Sequence, residues 1–188
     1  MKKFTLTILI ALVTFCSISG GAEKNVGIGM NDNSGIGLSL KYDARHSMEM
    51  AFKYFAEAQL ADGSWKHDPA ITALVLHSYM LEPEYKPDKK TEKVIKDGYA
   101  FLEKFVKANG GIYHEQYRNY STAVALMAFT SAGKEEYKTI IANAKKYLVE
   151  FQLDEGEDIS PQNAFYGGIG YGGDTRPDLS NLQLALES

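Results

Sequence analysis

The densest group of polar side chains lies just before an apolar helical segment near the end of the chain. Residues 172–178 read Gly-Gly-Asp-Thr-Arg-Pro-Asp. The glycines would let a ligand approach the backbone, Asp174 or Asp178 could act as a general acid or base, and Arg176 could hold a carboxylate or phosphate. Alternatively, Asp178 or Ser180 caps the helix that follows, and Arg176 pairs with a nearby carboxylate. We favour capping, because it is the commonest reason for an acid or serine at this spacing.

Two pairs of histidine and acid lie in predicted loops. His67 and Asp68 precede one apolar helical segment, and His114 and Glu115 precede the next. If the two loops met, these side chains could bind zinc or act as general acid and base. They lack the tight spacing of a metal motif, which favours solvent-exposed loops. His77 lies within an apolar segment and is predicted to be a hydrogen-bonded core histidine rather than a ligand.

Aromatic residues make up 12% of the chain and concentrate near predicted turns. They could stack on sugar rings or line a cavity for an isoprenoid, but we favour their packing at the junctions between helices. The aromatic residues concerned are Tyr113, Tyr117, Tyr120, Phe165, Tyr166 and Tyr171. If the chain binds a ligand, the candidate residues are Trp65, Tyr113, Tyr171 and Arg176.

An acidic run at 154–158 reads Asp-Glu-Gly-Glu-Asp. It could attract Ca²⁺, yet it lacks the alternating ligand pattern of an EF-hand loop. We interpret it as a solvent-exposed insertion. No metal site and no cofactor are predicted for the chain.

Each of these loops follows an amphipathic helical pattern and precedes an apolar one. In the first such unit, apolar residues recur every three or four positions from Asp43 onward, and Gly63 ends the pattern. Asp68 then fits an N-cap, and Pro69 fits the first helical position. Residues 70–80 are almost entirely apolar. Such a composition predicts a helix that is buried on most sides.

The unit occurs three times, with a spacing of about fifty residues. Residues 121–129 match 71–79 in apolar character, and a third apolar segment begins near Ser180. The pattern predicts an all-α protein with charged helices outside and apolar helices inside, an α/α toroid of repeated helix hairpins over 43–188. The last apolar segment ends at Ser188 without a cap, so we expect about half of a ring, with a partner or a further C-terminal half covering the open edge.

The turn after the first amphipathic helix carries a recognisable motif. Residues 59–65 read Gln-Leu-Ala-Asp-Gly-Ser-Trp, which resembles the Gln-Trp motif of squalene and hopene cyclases. With the threefold pattern, the region 43–188 is similar to the prenyltransferase and squalene oxidase repeat of the terpenoid cyclase superfamily. The later copies keep the motif only in outline, at 111–113 and 168–171. The resemblance implies an α/α toroid of about six helix pairs, of which three would lie in this chain.

The residues that would carry the activities of that superfamily are missing. The resemblance implies an Asp-x-Asp-Asp acid motif in triterpene cyclases, and the sequence contains none. Protein prenyltransferase β subunits are expected to hold zinc with an Asp, a Cys and a His. The single cysteine, Cys16, belongs to the predicted leader. The resemblance therefore supports a fold rather than an activity.

The first 22 residues have the composition of a secretory signal. Lys2 and Lys3 precede an apolar run at 4–15, and small residues continue to Ala22. The run is too short to span a bilayer, so we predict a cleaved signal peptide and no transmembrane span. The mature protein would be exported, periplasmic or secreted, and would begin with an N-terminal arm or linker at 23–42.

The charge of the chain is mildly acidic. The formal net charge is −4, and loss of Lys2 and Lys3 with the leader would make it about −6, which leaves no basic surface for nucleic acid. We predict a non-catalytic module that binds a peptide, glycan or lipid. The alternative is a terpenoid cyclase-like enzyme, or another lyase or hydrolase, with its acid at 174–178 or beyond Ser188.

Overall fold

The computed structural model describes residues 37–81, 86–172 and 176–188. Within these ranges the chain forms six α-helices and two short 3₁₀ helices, Glu135–Tyr137 and Glu155–Glu157, with an isolated bridge between Val106 and Ile112 and no strand. The α-helices are α1 Leu38–Ala58, α2 Pro69–Leu81, α3 Lys89–Glu103, α4 Arg118–Ser131, α5 Lys138–Glu150 and α6 Leu179–Glu187. The prediction of an all-α protein is confirmed.

Several sequence-based predictions fall on other parts of the chain. The signal peptide at 1–22, residues 23–36 of the predicted arm and Asp174 lie outside the described residues. Tyr42–Ser188 form one compact unit, and the packing described below is that of this unit.

The helix starts differ in how closely they follow the sequence pattern. Helix α2 begins at Pro69 as predicted, and a carboxylate oxygen of Asp68 accepts a hydrogen bond from the Ile71 amide at 2.8 Å. Helix α1 begins at Leu38, earlier than the predicted start at Asp43. The sequence pattern did not predict the turn at 38–42, because the preceding residues are rich in glycine, which is a poor helix former.

Helix α4 is the centre of the packing. It packs against α2, α5 and α6, while α3 packs on α2. Helix α4 buries its apolar side chains almost all round, as its composition predicts. Helix α2 differs, because Ile71, Leu74 and Leu81 leave an exposed apolar stripe along one side of it. Helix α6 has only one fully buried residue, Asn181, and its Leu179 side chain is 84% exposed.

Three turns, one after each of α1, α3 and α5, close with the same pair of backbone hydrogen bonds. The backbone amide of the residue that begins the turn donates to the carbonyl of the residue that follows a glycine. The backbone amide of that glycine donates in turn to the carbonyl of the first residue. The pairs of first residue and glycine are Leu60 and Gly63, Lys107 and Gly110, and Leu153 and Gly167. All three glycines have positive φ, of 91°, 89° and 79°. Only glycine adopts such angles without strain.

The third turn carries a long excursion, residues 154–166, between its first residue and its glycine. The base stays closed, since the Leu153 amide donates to the Gly168 carbonyl at 2.8 Å and the Gly167 amide donates to the Leu153 carbonyl at 2.7 Å. The acidic run lies in this excursion. Asp154 caps the short 3₁₀ helix, and the Tyr166 hydroxyl donates to Glu155. The carboxylates of Asp154 and Glu155 are therefore engaged in local hydrogen bonds.

A buried threonine supports each of the first two turns. The Trp65 amide donates to the Thr72 hydroxyl at 3.1 Å, and the Ile112 amide donates to the Thr122 hydroxyl at 2.9 Å. Both threonine side chains are inaccessible to solvent. The hydroxyls thus anchor the turns to the helices that follow them.

Replacing either threonine by valine should destabilise the protein by about 1 to 3 kcal/mol, because a buried amide would lose its only acceptor at nearly unchanged volume. Urea unfolding of Thr72→Val and Thr122→Val would measure the change. Thr130→Val is the matched control, since Thr130 is exposed on α4 and should change the free energy of unfolding by less than about 0.5 kcal/mol. Equal stabilities for all three variants would contradict the anchoring role.

Two buried tyrosines differ in whether their hydroxyl has a partner. The Tyr99 hydroxyl donates to the Ala128 carbonyl at 2.8 Å, whereas the buried Tyr147 hydroxyl has no hydrogen-bond partner among the described residues. Burial raises the pKa of Tyr147 to about 12. Each tyrosine ring is about 1% exposed.

Tyr147→Phe should therefore be neutral or stabilising by up to about 1 kcal/mol, while Tyr99→Phe should cost about 1 kcal/mol. Since the folded pKa of Tyr147 exceeds the unfolded value, its contribution to stability is present below about pH 10 and is lost as the pH rises toward 12. Tyr147→Phe should consequently unfold at a higher pH than the parent in an alkaline titration followed by circular dichroism. A lower unfolding pH would contradict this account.

Candidate ligand-binding cleft

An open cleft of about 350 Å³ lies between the loop before α2 and the loop before α4. Its wall on the α2 side is formed by Asp68 and the first turn of the helix. The other wall combines polar and aromatic side chains. The lining residues are Asp68, Pro69, Ala70, Ile71, His114, Glu115, Gln116, Tyr117, Tyr120 and Ser121. We call this site the α2–α4 cleft.

The cleft brings together three of the four residues in the two predicted histidine and acid pairs. Asp68, His114 and Glu115 line the same cavity, so the expectation that the two loops lie at one end of the fold is confirmed. His67 does not join them, because its Nδ1 pairs with Asp62 at 2.7 Å. No group of three or more metal-ligating side chains is present in the described residues. A zinc site in these loops therefore has no support there.

The wall on the α4 side exists because one connection is longer than its counterpart. Seven positions separate Trp65 from the threonine that accepts its amide, and ten separate Ile112 from the equivalent threonine. The longer path includes His114, whose ring meets Phe105 edge-on with a centroid separation of 5.7 Å. The added length thus places polar side chains beside the start of α4.

Helix α4 begins differently from its neighbours α2 and α6, because of the residue before it, Tyr117. Asp68 and Asp178 cap α2 and α6 with their carboxylates, but Tyr117 precedes α4 with no side-chain cap and with φ 52° and ψ 46°. A bulky residue in the left-handed region costs of order 1 kcal/mol and persists only where the surroundings impose it. Such departures from local preference cluster at functional sites.

A buried asparagine fixes the aromatic edge of the cleft. The Asn119 amide donates to the Tyr171 carbonyl at 3.0 Å, and its Nδ2 donates to the Gly170 carbonyl at 3.1 Å. These bonds hold Tyr171 beside Tyr117 and Tyr120, with ring centroids 5.4 Å and 6.3 Å away. Sequence reasoning selected Tyr171 but missed Asn119, because nothing in the sequence relates the start of one helix to a turn fifty-one positions later.

The cleft lining includes none of the predicted ligand-binding residues, which are Trp65, Tyr113, Tyr171 and Arg176, although Tyr171 contacts the lining residues Tyr117 and Tyr120. Trp65 is only 4% exposed, and its indole N–H donates to the Phe55 carbonyl at 2.8 Å. Tyr113 contacts two cations, with Lys107 Nζ and Arg118 Cζ each 5.5 Å from the ring centroid. The structure therefore places Trp65 in the core and Tyr113 in cation–π contacts.

The predicted acid loop has one residue with a well-defined role. The Asp178 carboxylate accepts hydrogen bonds from the Ser180 hydroxyl and from the backbone and side-chain amides of Asn181. These donors lower the pKa of Asp178, with the Ser180 hydroxyl the strongest of them. An ionised helix cap is a poor proton donor. Arg176 is exposed, and Asp174 lies outside the described residues.

His77 joins two helices inside the fold. Its Nδ1 lies 3.1 Å from the Ser131 hydroxyl, across the contact between α2 and α4. Burial lowers the pKa of His77. The predicted hydrogen bond of His77 is confirmed, but its side chain is half-buried between the two helices and does not belong to the core.

Comparison with known proteins yields no relative. No protein-family model matches the chain, and no curated protein or solved structure shows significant similarity to it. Among the described helices, none combines the length and apolar character needed to cross a bilayer.

Proposed function

We propose that this protein is a non-catalytic binding module whose ligand site is the α2–α4 cleft. The observation that carries the proposal is the cavity itself, in which tyrosines, carboxylates and an amide face one space. Cavities of a few hundred Å³ with aromatic walls and a few polar groups are the usual form of ligand sites. The strained backbone of Tyr117 supports it further, since the surrounding fold holds this ring at the cleft.

The same proposal includes the repeat architecture. The hairpins α1–α2, α3–α4 and α5–α6 would be three copies of one unit, arranged as about half of an α/α toroid of the terpenoid cyclase type. The shared pattern of turn hydrogen bonds and the row α2, α4, α6 support this arrangement. In this setting the cleft lies between two adjacent copies, which is where repeat proteins commonly bind.

We also propose that the mature protein is exported after cleavage of residues 1–22, with an arm that ends before α1 begins at Leu38 and with the repeat region at 43–188. The composition of the leader supports this. N-terminal sequencing of the protein produced in its own cell would test it. A mature chain that retains Met1 would overturn the proposal.

Titration of ¹⁵N-labelled protein with short peptides, oligosaccharides and lysolipids would test the binding site. A ligand of the cleft should shift the amide resonances of Ile71, Gln116 and Ser121 while leaving that of Ala144, which is buried in α5, unchanged. Tyr120→Ala should weaken the interaction. If every ligand in the panel acts elsewhere on the protein, the cleft is not the binding site.

A further inference from the structure

The charge of the cleft identifies the kind of group it would take. Two of its lining side chains, Asp68 and Glu115, are carboxylates, and none is a lysine or arginine. Neither carboxylate forms an ion pair within the described part of the chain. His114 is the one lining side chain that can acquire a positive charge. The cleft is thus built with more negative than positive side chains.

The helix ends do not reverse this charge. Helices α2 and α4 both begin at the cleft, and each N-terminus carries the equivalent of about half a positive charge. Two such half charges offset only about one of the two carboxylates. The Asp68 carboxylate already serves the start of α2 through the Ile71 amide. Counted over the lining side chains and the two helix ends, negative charge therefore remains in excess.

The aromatic wall has ring surface available for a cation. Tyr117 is 57% exposed, and Tyr171, which meets it edge-on, is also exposed. A tyrosine face attracts ammonium and guanidinium groups, and more strongly where water is excluded. This chain already uses that interaction nearby, since Arg118 lies over the Tyr113 ring at 5.5 Å. The cleft combines the Tyr117 ring with the Asp68 carboxylate on the opposite wall and with the Glu115 carboxylate of its own loop.

We propose that the α2–α4 cleft selects a cationic side chain of a peptide, an arginine or lysine, in preference to a neutral glycan. This inference rests on the proposed binding function and specifies its ligand. A guanidinium group would stack on the Tyr117 ring while its N–H groups bond to Glu115 and to the outward oxygen of Asp68. A neutral sugar would leave both carboxylates uncompensated as it displaced their water.

The test compares two peptides of the same shape. Acetyl-Gly-Arg-Gly-amide and its citrulline counterpart differ in charge but hardly in size, and maltotriose serves as the neutral glycan. In ¹⁵N titrations the arginine peptide should shift amides at 68–71 and 114–121 and bind at least about tenfold more tightly than the citrulline peptide. Raising NaCl from about 50 to about 500 mM should weaken the arginine complex and leave the citrulline complex nearly unchanged. Spermidine distinguishes a free polyamine from a peptide side chain.

Three variants separate charge from structure. Asp68→Asn removes the charge and keeps a good helix cap, and Glu115→Gln keeps the shape, so each should weaken arginine binding by about threefold or more at unchanged stability. Glu49→Gln, an exposed change on α1, is the matched control and should bind as the parent does. Tyr117→Gly suits the positive φ and removes the ring, so it should lose arginine binding while the free energy of unfolding changes by less than about 1 kcal/mol.

Equal affinity for the arginine and citrulline peptides would overturn the inference, and so would unchanged arginine affinity in both Asp68→Asn and Glu115→Gln. If maltotriose shifts the cleft amides and the arginine peptide does not, charge selection is wrong while the binding module stands. Spermidine binding more tightly than the peptide would overturn a peptide ligand and retain the selection of cations. Failure of the whole ligand panel at the cleft would reject both proposals.

Discussion

Alanine at Gly63 should destabilise the protein by about 3 kcal/mol or more, because two penalties act together. The first is the left-handed backbone, with φ 91°. The second is steric, since a Cβ at this position would lie 2.4 Å from the carbonyl oxygen of Asp97, a backbone atom of α3. A backbone atom within a packed helix cannot move aside as the end of a side chain can. Urea unfolding of Gly63→Ala would measure the loss.

Two further glycines make the comparison specific. A Cβ at Gly110 would lie 2.5 Å from the carbonyl oxygen of Asn143 in α5, so Gly110→Ala should cost a similar amount. Gly133 has φ 63° but nothing within 4 Å of the added atom. Gly133→Ala should therefore cost only the conformational strain, about 1 to 2 kcal/mol. If all three variants lose the same stability, the close approach of turn and helix has no energetic role.

Truncation of the single tryptophan should have a comparably large effect. Trp65→Ala should cost about 3 to 5 kcal/mol, because a buried aromatic is removed from a junction that cannot collapse fully. The ring reaches toward α3, where a Cβ at Gly98 would lie 3.2 Å from Trp65 Cζ3, and the indole N–H bonds to the Phe55 carbonyl in α1. Circular dichroism in urea gives the measurement, since the variant lacks tryptophan fluorescence.

Trp65→Phe separates the two parts of this contribution. Phenylalanine keeps much of the apolar contact and loses the N–H. Trp65→Phe should therefore lower the free energy of unfolding, but by less than Trp65→Ala does. A loss below about 1 kcal/mol for Trp65→Ala would mean that Trp65 does not hold the junction of α1, α2 and α3.

The sequence was informative wherever local pattern decides the structure. The near-continuous apolar character of 70–80 predicted a buried helix, and the Asp68-Pro69 pair predicted its start, because caps act over three residues. The loops carrying Asp68 and His114 were expected at one end of the fold, and they line one cleft. Alternation of helix type along the chain is enough to place successive loops in this way.

The details of the cleft depended on contacts that no local pattern encodes. The positive φ of Tyr117 has no composition signal, since the preference of tyrosine is for the opposite sign. The Asn119 contact to the third turn joins segments far apart in sequence. His67, which the sequence grouped with Asp68, instead pairs with Asp62. The Ser64 hydroxyl, and after it the His67 ring, lower the pKa of Asp62 to about 2.

The closed base of the excursion at 154–166 makes that segment separable from the helices. The bonds between Leu153 and the pair Gly167 and Gly168 complete the turn whatever length of chain lies between them. Because closure entropy rises only slowly with length, by about 0.6 kcal/mol per doubling, longer or shorter inserts would be nearly isoenergetic. An epitope tag or a small reporter domain inserted into this segment would therefore lie outside the folded helices. During evolution the same segment could change in length without changes to the helical core.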